Sequence, residues 1–230
     1  MDEQVLQVDF GRPVPLFPLP NFVLLPHATI PLHIFEPRYR AMTDDSLAAS
    51  GAIAMATFEG DQWRRDYDGS PPLRPFVCVG CIDRYHRLED GRYNLLLNGL
   101  CRARVVEEID HDPYRQALLE PTETESAMDI DLDAERERIE GLLRDELLKT
   151  LKPVGQIRHW LAPTVATTAM IDVAIMTMSD NLEDKYQMLV EADAAVRAAW
   201  LERMLRDVRR TMSIAERLGP GQSPDGIHLN

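Results

Sequence analysis

Near residue 120 the apolar residues change period, and this limits what the chain can fold into. Before that point, short apolar runs alternate with clusters of turn residues. After it, apolar residues return every third or fourth position. The first pattern is that of strands, the second that of amphipathic helices. A strand-rich half followed by a helix-rich half predicts an α+β fold and argues against alternating βαβ units.

Prolines punctuate the first half. Val14 to Leu19 has strand spacing but holds Pro15 and Pro18, which cannot donate to a ladder, so this strand belongs at an edge or begins irregularly. Pro20-Asn21 is a turn. Phe22 to Leu25 is an apolar run closed by Pro26. Ile30, Leu32 and Ile34 then alternate with Pro31, His33 and Phe35 as a second strand. Glu36-Pro37 starts a helix, because proline suits the first helical position. That helix should end at Ser50-Gly51, where glycine takes a left-handed cap. Ala52 to Phe58 is a third strand, and residues 59–74 form a long polar loop. Trp63 and Tyr67 in that loop are either packing plugs or presented for recognition. Pro75 to Leu88 is a fourth strand, and Asp90-Gly91 a hairpin turn. Tyr93–Leu97 and Leu100–Ile109 follow as two strands separated by an Asn98-Gly99 turn, and Tyr114–Leu119 is the seventh. Repeated short strands with tight turns predict a curled antiparallel sheet or pseudo-barrel.

Glu120 to Asp133 is acidic and poor in apolar residues, as linkers are. Ile139, Leu142, Leu143, Leu147 and Leu151 then stripe one helix over 134–151, with Asp131 or Asp133 as its cap. Val154–Leu161 is a short helix anchored by Trp160, and Thr164–Met178 is apolar on more than one side, so it is the most buried helix. Asp180 and Glu183 have capping-box spacing ahead of a short helix. Val196, Trp200, Met204 and Val208 recur every four residues along a final helix, with Leu201 and Leu205 beside them and Glu202 and Arg206 on its outer face.

The net charge of −13 opposes a general phosphate-backbone binder, so nucleic acid is disfavoured as a partner. No run reaches the roughly 20 apolar residues of a membrane span, and the acidic MDEQVLQVDF start is unlike a secretory signal. A cytoplasmic location and no membrane association follow as expectations. Three cysteines argue against a disulfide framework. Cys78 and Cys81 form a lone C-x-x-C inside a strand-like run, without a second zinc half-site; buried thiols and a metal site are the two readings. His27 and His33 are close enough in sequence to approach one another. Walker-type phosphate loops, G-x-S-x-G and H-E-x-x-H are absent, so neither cofactor, metal nor catalytic residue is expected.

Three segments carry a family resemblance. PLFPLPNFVLLP followed by IPLHIFEPRYRAM resembles the opening of the Lon protease N-terminal, substrate-binding domain family. VGCIDRYHRLEDGRYNLLLNGLCRARVVE is similar to its Val-Gly strand, Asp-Gly hairpin and Gly-x-x-Arg-x-Arg strand, here Gly80, Gly99, Arg102 and Arg104. LEDKYQMLVEADAAVRAAWLERML resembles its closing helices, with Arg197-Ala198 where the family often has Arg-Leu. The resemblance covers about residues 14 to 210. It implies a PUA-like antiparallel β pseudo-barrel followed by a C-terminal α-helical bundle. The expected organisation is a lead-in over 1–13, the β-rich part over 14–121, an acidic linker over 122–133, helices over 134–218 and a disordered tail over 219–230. With no phosphate loop, the ATPase and protease modules of full-length Lon are not expected, which makes this a stand-alone member.

The function implied is a non-catalytic module that binds unfolded or tagged polypeptide, or a protease or chaperone partner. Phe22, Leu24 and Leu25, with Trp63 and Tyr67, are the candidate peptide contacts; the Phe22–Leu25 run either takes up polypeptide or caps the barrel. The motif residues Glu36, Arg38, Tyr39 and Arg40 are expected to tie helix to barrel. A small hydrolase with a site in the barrel–bundle groove, or a PUA-like RNA binder, are the alternatives. The oligomeric state is left open.

Overall fold

The structure, a computed structural model, describes residues 8–67, 69–122 and 132–218. Most of the acidic linker and the whole tail lie outside the described residues. Packing divides the chain into two compact units. The first takes the described residues of Met1–Ile130 with Ser179–Ala192; the second takes those of Asp131–Met178 and Asp193–Asn230.

The first unit is built on six strands: β1 (Val14–Leu19), β2 (Thr29–Ile34), β3 (Ala52–Thr57), β4 (Phe76–Arg87), β5 (Tyr93–Ile109) and β6 (Gln116–Pro121). Their order is β2-β5-β4-β3-β1-β6, and β5 also pairs with β6, so five strands close into a ring. Alternate residues from all five converge in one cluster: Val14 and Leu16, Ala54 and Ala56, Val77 and Val79, Ala103, Ala117 and Leu119. Convergence from every side identifies the interior of a small barrel. Its small side chains suit the tight lumen. Val8 and Phe10 pack against this cluster without forming a strand.

Two sheet features depart from expectation. The sheet is mixed, because β1 runs parallel to β3, with Leu16 opposite Ala54. The chain reaches β3 from β1 by way of α1 (Pro37–Ala48), a crossover that permits parallel pairing. In addition, Asn98-Gly99 is no turn; it lies inside β5, so six strands replace seven. Gly99 is there for space. A methyl group at this position would meet the Leu25 carbonyl oxygen well inside van der Waals distance. The Gly99 N–H donates to the Ala28 carbonyl at 2.9 Å, and the His27 N–H donates to the Gly99 carbonyl at 2.8 Å. The loop before β2 is thereby strapped onto β5.

β5 serves two neighbours on one side. Its first part, Tyr93–Asn98, pairs with β2, and its second, Ala103–Ile109, pairs with β6. β3 ends at Ala52, opposite Cys81. Beyond that point β4 pairs only with β5, after a register shift between Ile82 and Arg84. A three-stranded extension of β2, β5 and β4 therefore projects past the closed ring.

α1 begins as the sequence suggests. Pro37 follows the extended residue Glu36, and Gly51 closes the helix at φ +75°, its N–H donating to the Ser46 carbonyl. The helix α5 (Leu182–Val190), expected within the helical 134–218 part, belongs instead to the strand unit. Tyr186, Met188 and Leu189 are buried, and the Tyr186 hydroxyl accepts from the Phe76 N–H at 3.0 Å. Its cap is Asn181, not Asp180: the Asn181 side chain accepts from the Glu183 and Asp184 N–H groups.

The second unit holds α2 (Asp133–Leu143), α3 (Lys152–Ile157), α4 (Thr167–Met178) and α6 (Ala194–Leu218). The expected 134–151 helix stops at Leu143, and the Asp145 side chain accepts from the Leu147 N–H, forming a turn. Val154 and Ile157, rather than half-buried Trp160, anchor α3. α4 is the buried helix, enclosed from Ala169 to Ile175. That run includes Asp172, whose carboxylate pairs with Arg197 of α6 at 3.1 Å, both side chains almost without solvent access. Arg197 thus supplies the partner that Asp172 requires, and Ala198 sits beside it on the same packed face.

Candidate functional site

The family-motif residues form a polar junction. Arg38 donates from Nε to Glu36 at 3.2 Å and from a terminal nitrogen to the Tyr67 carbonyl at 3.4 Å. Its guanidinium lies over the Tyr39 and Tyr67 rings, 4.7 and 4.8 Å from their centroids. The Tyr67 hydroxyl donates to Glu36 at 3.2 Å. Burial holds the Tyr39 and Tyr67 hydroxyls above the usual phenol range, with Glu36 adding to the shift and the Arg38 guanidinium opposing it, so both stay protonated. Arg40 reaches Gly91 in the β4–β5 hairpin turn. Arg102 is fully buried and donates to the Met188 carbonyl at 3.3 Å, fixing α5 to β5. Arg104 pairs with Glu120 on the surface. Gly80 sits where a methyl would press against Leu97 and the Asn98 carbonyl.

The five proposed peptide contacts are not gathered at one exposed place. Leu24 and Leu25 have no solvent exposure. They cap the barrel, because the strap through His27 and Gly99 pulls their loop inward. Phe22 is half-buried, and its carbonyl accepts from the buried Thr57 hydroxyl at 2.9 Å. Trp63 and Tyr67 are both half-buried against Phe58, one stacked at 6.1 Å and the other edge-on at 5.9 Å. Both rings pack the 59–74 loop against the body.

Beside this junction lies a polar cavity of about 150 Å³ lined by Arg38, Tyr67, His111, Tyr114 and Arg115. Its groups serve each other. Arg115 donates to Glu108 and to the Pro71 carbonyl, and Tyr114 donates to Asp45 at 2.8 Å. Burial, and then that bond to Asp45, push the Tyr114 hydroxyl up to about 12. These phenols are hydrogen-bond donors, not bases.

The exposed apolar surface is elsewhere, on the three-stranded extension. Pairing sets Pro31, Leu96 and Arg84 in one row across the strands, and His33, Asn94 and His86 in the next. An open depression of about 440 Å³, mainly apolar, lies over these rows. Tyr85, 57% exposed, lines it, and Phe35, 58% exposed, follows the end of β2 on the same extension. Phe35 is kept in place by stacking on His33 at 6.1 Å. His33 Nδ1 lies 2.7 Å from Asn94 Oδ1, and its Nε2 faces Arg92 at 3.4 Å. Polar pairs thus frame an apolar floor. Beside it β4 carries five consecutive exposed residues, Asp83 to Arg87, along an edge that none of the described strands covers. The alternation around Ile34 already placed Phe35 outward, which was the one available signal for this surface.

The described residues form a closed barrel with an exposed sheet extension, and hold no group of three or more His, Cys, Asp or Glu placed to bind a metal. The sequence model of the ATP-dependent protease La (LON) substrate-binding domain matches residues 13–207, and the chain belongs to that family. The Lon protease of Desulfosudis oleivorans is 22% identical over 206 residues, which cover 89% of this chain and 25% of that protein. The chain spans about a quarter of the length of several curated relatives it matches. Among solved structures, the N-terminal domain of the Mycobacterium avium complex Lon protease has a TM-score of 0.63 at 18% identity, covering 85% of this chain and 99% of that one. The Lon N-terminal domain protein from Xanthomonas campestris has a TM-score of 0.50 at 23% identity, covering 83% and 96% respectively. These likenesses establish the α+β fold. Among the described residues, no helix is long and apolar enough to cross a membrane.

Proposed function

We propose that this chain is a non-catalytic receptor for extended or unfolded polypeptide, and that the β2–β5–β4 extension receives it. The observation that carries the proposal is the exposed Tyr85 beside an apolar floor at Pro31 and Leu96. Solvated apolar surface is costly unless a partner covers it. Family membership supports the same reading, since the matched family is described as substrate-binding. Apolar side chains of the polypeptide would cover the floor. Its backbone would find donors and acceptors at the open β4 edge, as strand-addition ligands do.

The test is fluorescence anisotropy with a labelled, permanently unfolded protein. Tyr85→Ser combined with Leu96→Ser should weaken binding about tenfold or more, since each removes a desolvated anchor. The thermal midpoint should stay unchanged. Unaltered affinity in a folded double variant would overturn the proposal.

A further inference from the structure

The last helix buries the Leu201 and Leu205 side of its apolar set and leaves the Val196 side out. Ala194, Arg197, Ala198, Leu201, Glu202 and Leu205 are its buried residues. Glu202, expected outside, is drawn in because Arg138 and Arg206 both pair with it. Val196 is 46% exposed, and Ile214 is 43% exposed. Between them lies a seam at 196, 200, 203, 207, 210 and 214. These steps of four and three residues are the spacing of a helix that pairs with another helix.

The seam reads Val, Trp, Arg, Asp, Arg, Ile. Its charged members have no ion pair among the described residues, whereas Arg206 and Arg209 on the flanks pair with Glu202 and Asp145. Arg203 and Asp207 are four residues apart yet do not bond each other.

We propose that this seam is a self-association surface, on which two copies of the chain pair their α6 helices antiparallel about a two-fold axis level with Leu205. In that register Val196 lies opposite Ile214, Trp200 opposite Arg210 and Arg203 opposite Asp207, and symmetry repeats each pair. Every pair is complementary: apolar on apolar, cation on an aromatic face, cation on carboxylate. Parallel pairing in register sets Arg203 on Arg203 and Asp207 on Asp207. Sliding the antiparallel pair by a heptad sets Val196 against Asp207 in one direction and Arg203 against Ile214 in the other. Charge therefore selects one arrangement. The seam spans about 27 Å of helix. That is a small interface, so the dimer should be weak, with Kd on the order of 10–100 µM.

The experiment is sedimentation velocity on the full chain at concentrations up to about 300 µM. The wild type should dimerise. Asp207→Arg should weaken the dimer about tenfold or more, because two attractions become two repulsions. Arg203→Asp combined with Asp207→Arg should restore it. Disulfide trapping fixes the direction: a Val196→Cys protein mixed with an Ile214→Cys protein should cross-link, and neither should cross-link to itself. Helical circular dichroism confirms that each variant is folded. A wild type that stays monomeric, an Asp207→Arg variant as dimeric as wild type, or self-cross-linking of the Val196→Cys protein would each overturn the proposal.

Discussion

Two apolar stretches flank His27, and the fold treats them in opposite ways. Val23, Leu24 and Leu25 disappear beneath the surface, while Pro31 and Phe35 remain in solvent, as Tyr85 of β4 does. Composition does not separate them. What separates them is the partner each finds. The first stretch meets Gly99, whose bare backbone lets a loop lie flat against β5. The second meets a part of the sheet that β3 has stopped covering. An apolar run is buried by what packs on it, and the same chain can enclose one run and display another.

Substitutions can break or sharpen this contrast. Leu24→Asp should have the largest effect. A carboxylate at a site without solvent costs more than about 5 kcal/mol, enough to unfold a marginal domain, and soluble yield would show it. If the loop were a recognition element, this variant would fold normally. Gly99→Ala comes next, with a loss of about 3 kcal/mol as the Leu25 carbonyl is pushed away, measured by urea denaturation. Thr57→Val removes the hydroxyl that holds the Phe22 carbonyl and should cost about 1 kcal/mol.

Tyr114→Phe should cost less than about 1 kcal/mol at neutral pH, and its effect should be pH-dependent. The folded-state pKa is raised from the ordinary 10 to about 12 by burial and the bond to Asp45. The stabilisation from this group is therefore complete below about pH 10 and is lost as pH rises through about 12. The stability gap between wild type and variant should narrow over that window, as thermal melts in alkaline buffers would show. Phe35→Ser should be smallest, within about 0.5 kcal/mol in stability, while weakening capture of unfolded polypeptide. A large stability loss there would mean that Phe35 belongs to the core.

Much of the local structure was legible in the sequence. Pro37, Gly51 and the Asp90-Gly91 turn act through the chain beside them, so their roles could be read without coordinates. Long-range relations could not. Asn98-Gly99 has the chemistry of a turn, and only the loop crossing over it explains the glycine. The parallel pairing of β1 with β3 depends on how α1 crosses over. The seat of α5 depends on a buried guanidinium, Arg102, that needs the Met188 carbonyl. On α6 the sequence placed Leu201 and Leu205 within the apolar set, but only the ion pairs of Arg197 and Glu202 show how the helix turns those charges inward and Val196 out. The Phe22–Leu25 run shows a related point: sequence shows that a run is apolar, not that something already covers it.

The length of β5 has a mechanical consequence. One uninterrupted strand serves as a wall of the barrel and as the spine of the overhanging shelf. The shelf is cantilevered from a closed ring, so it borrows stiffness that a free hairpin would lack. A guest settling there would find its berth already firm, and the loss of freedom on docking would fall on the guest.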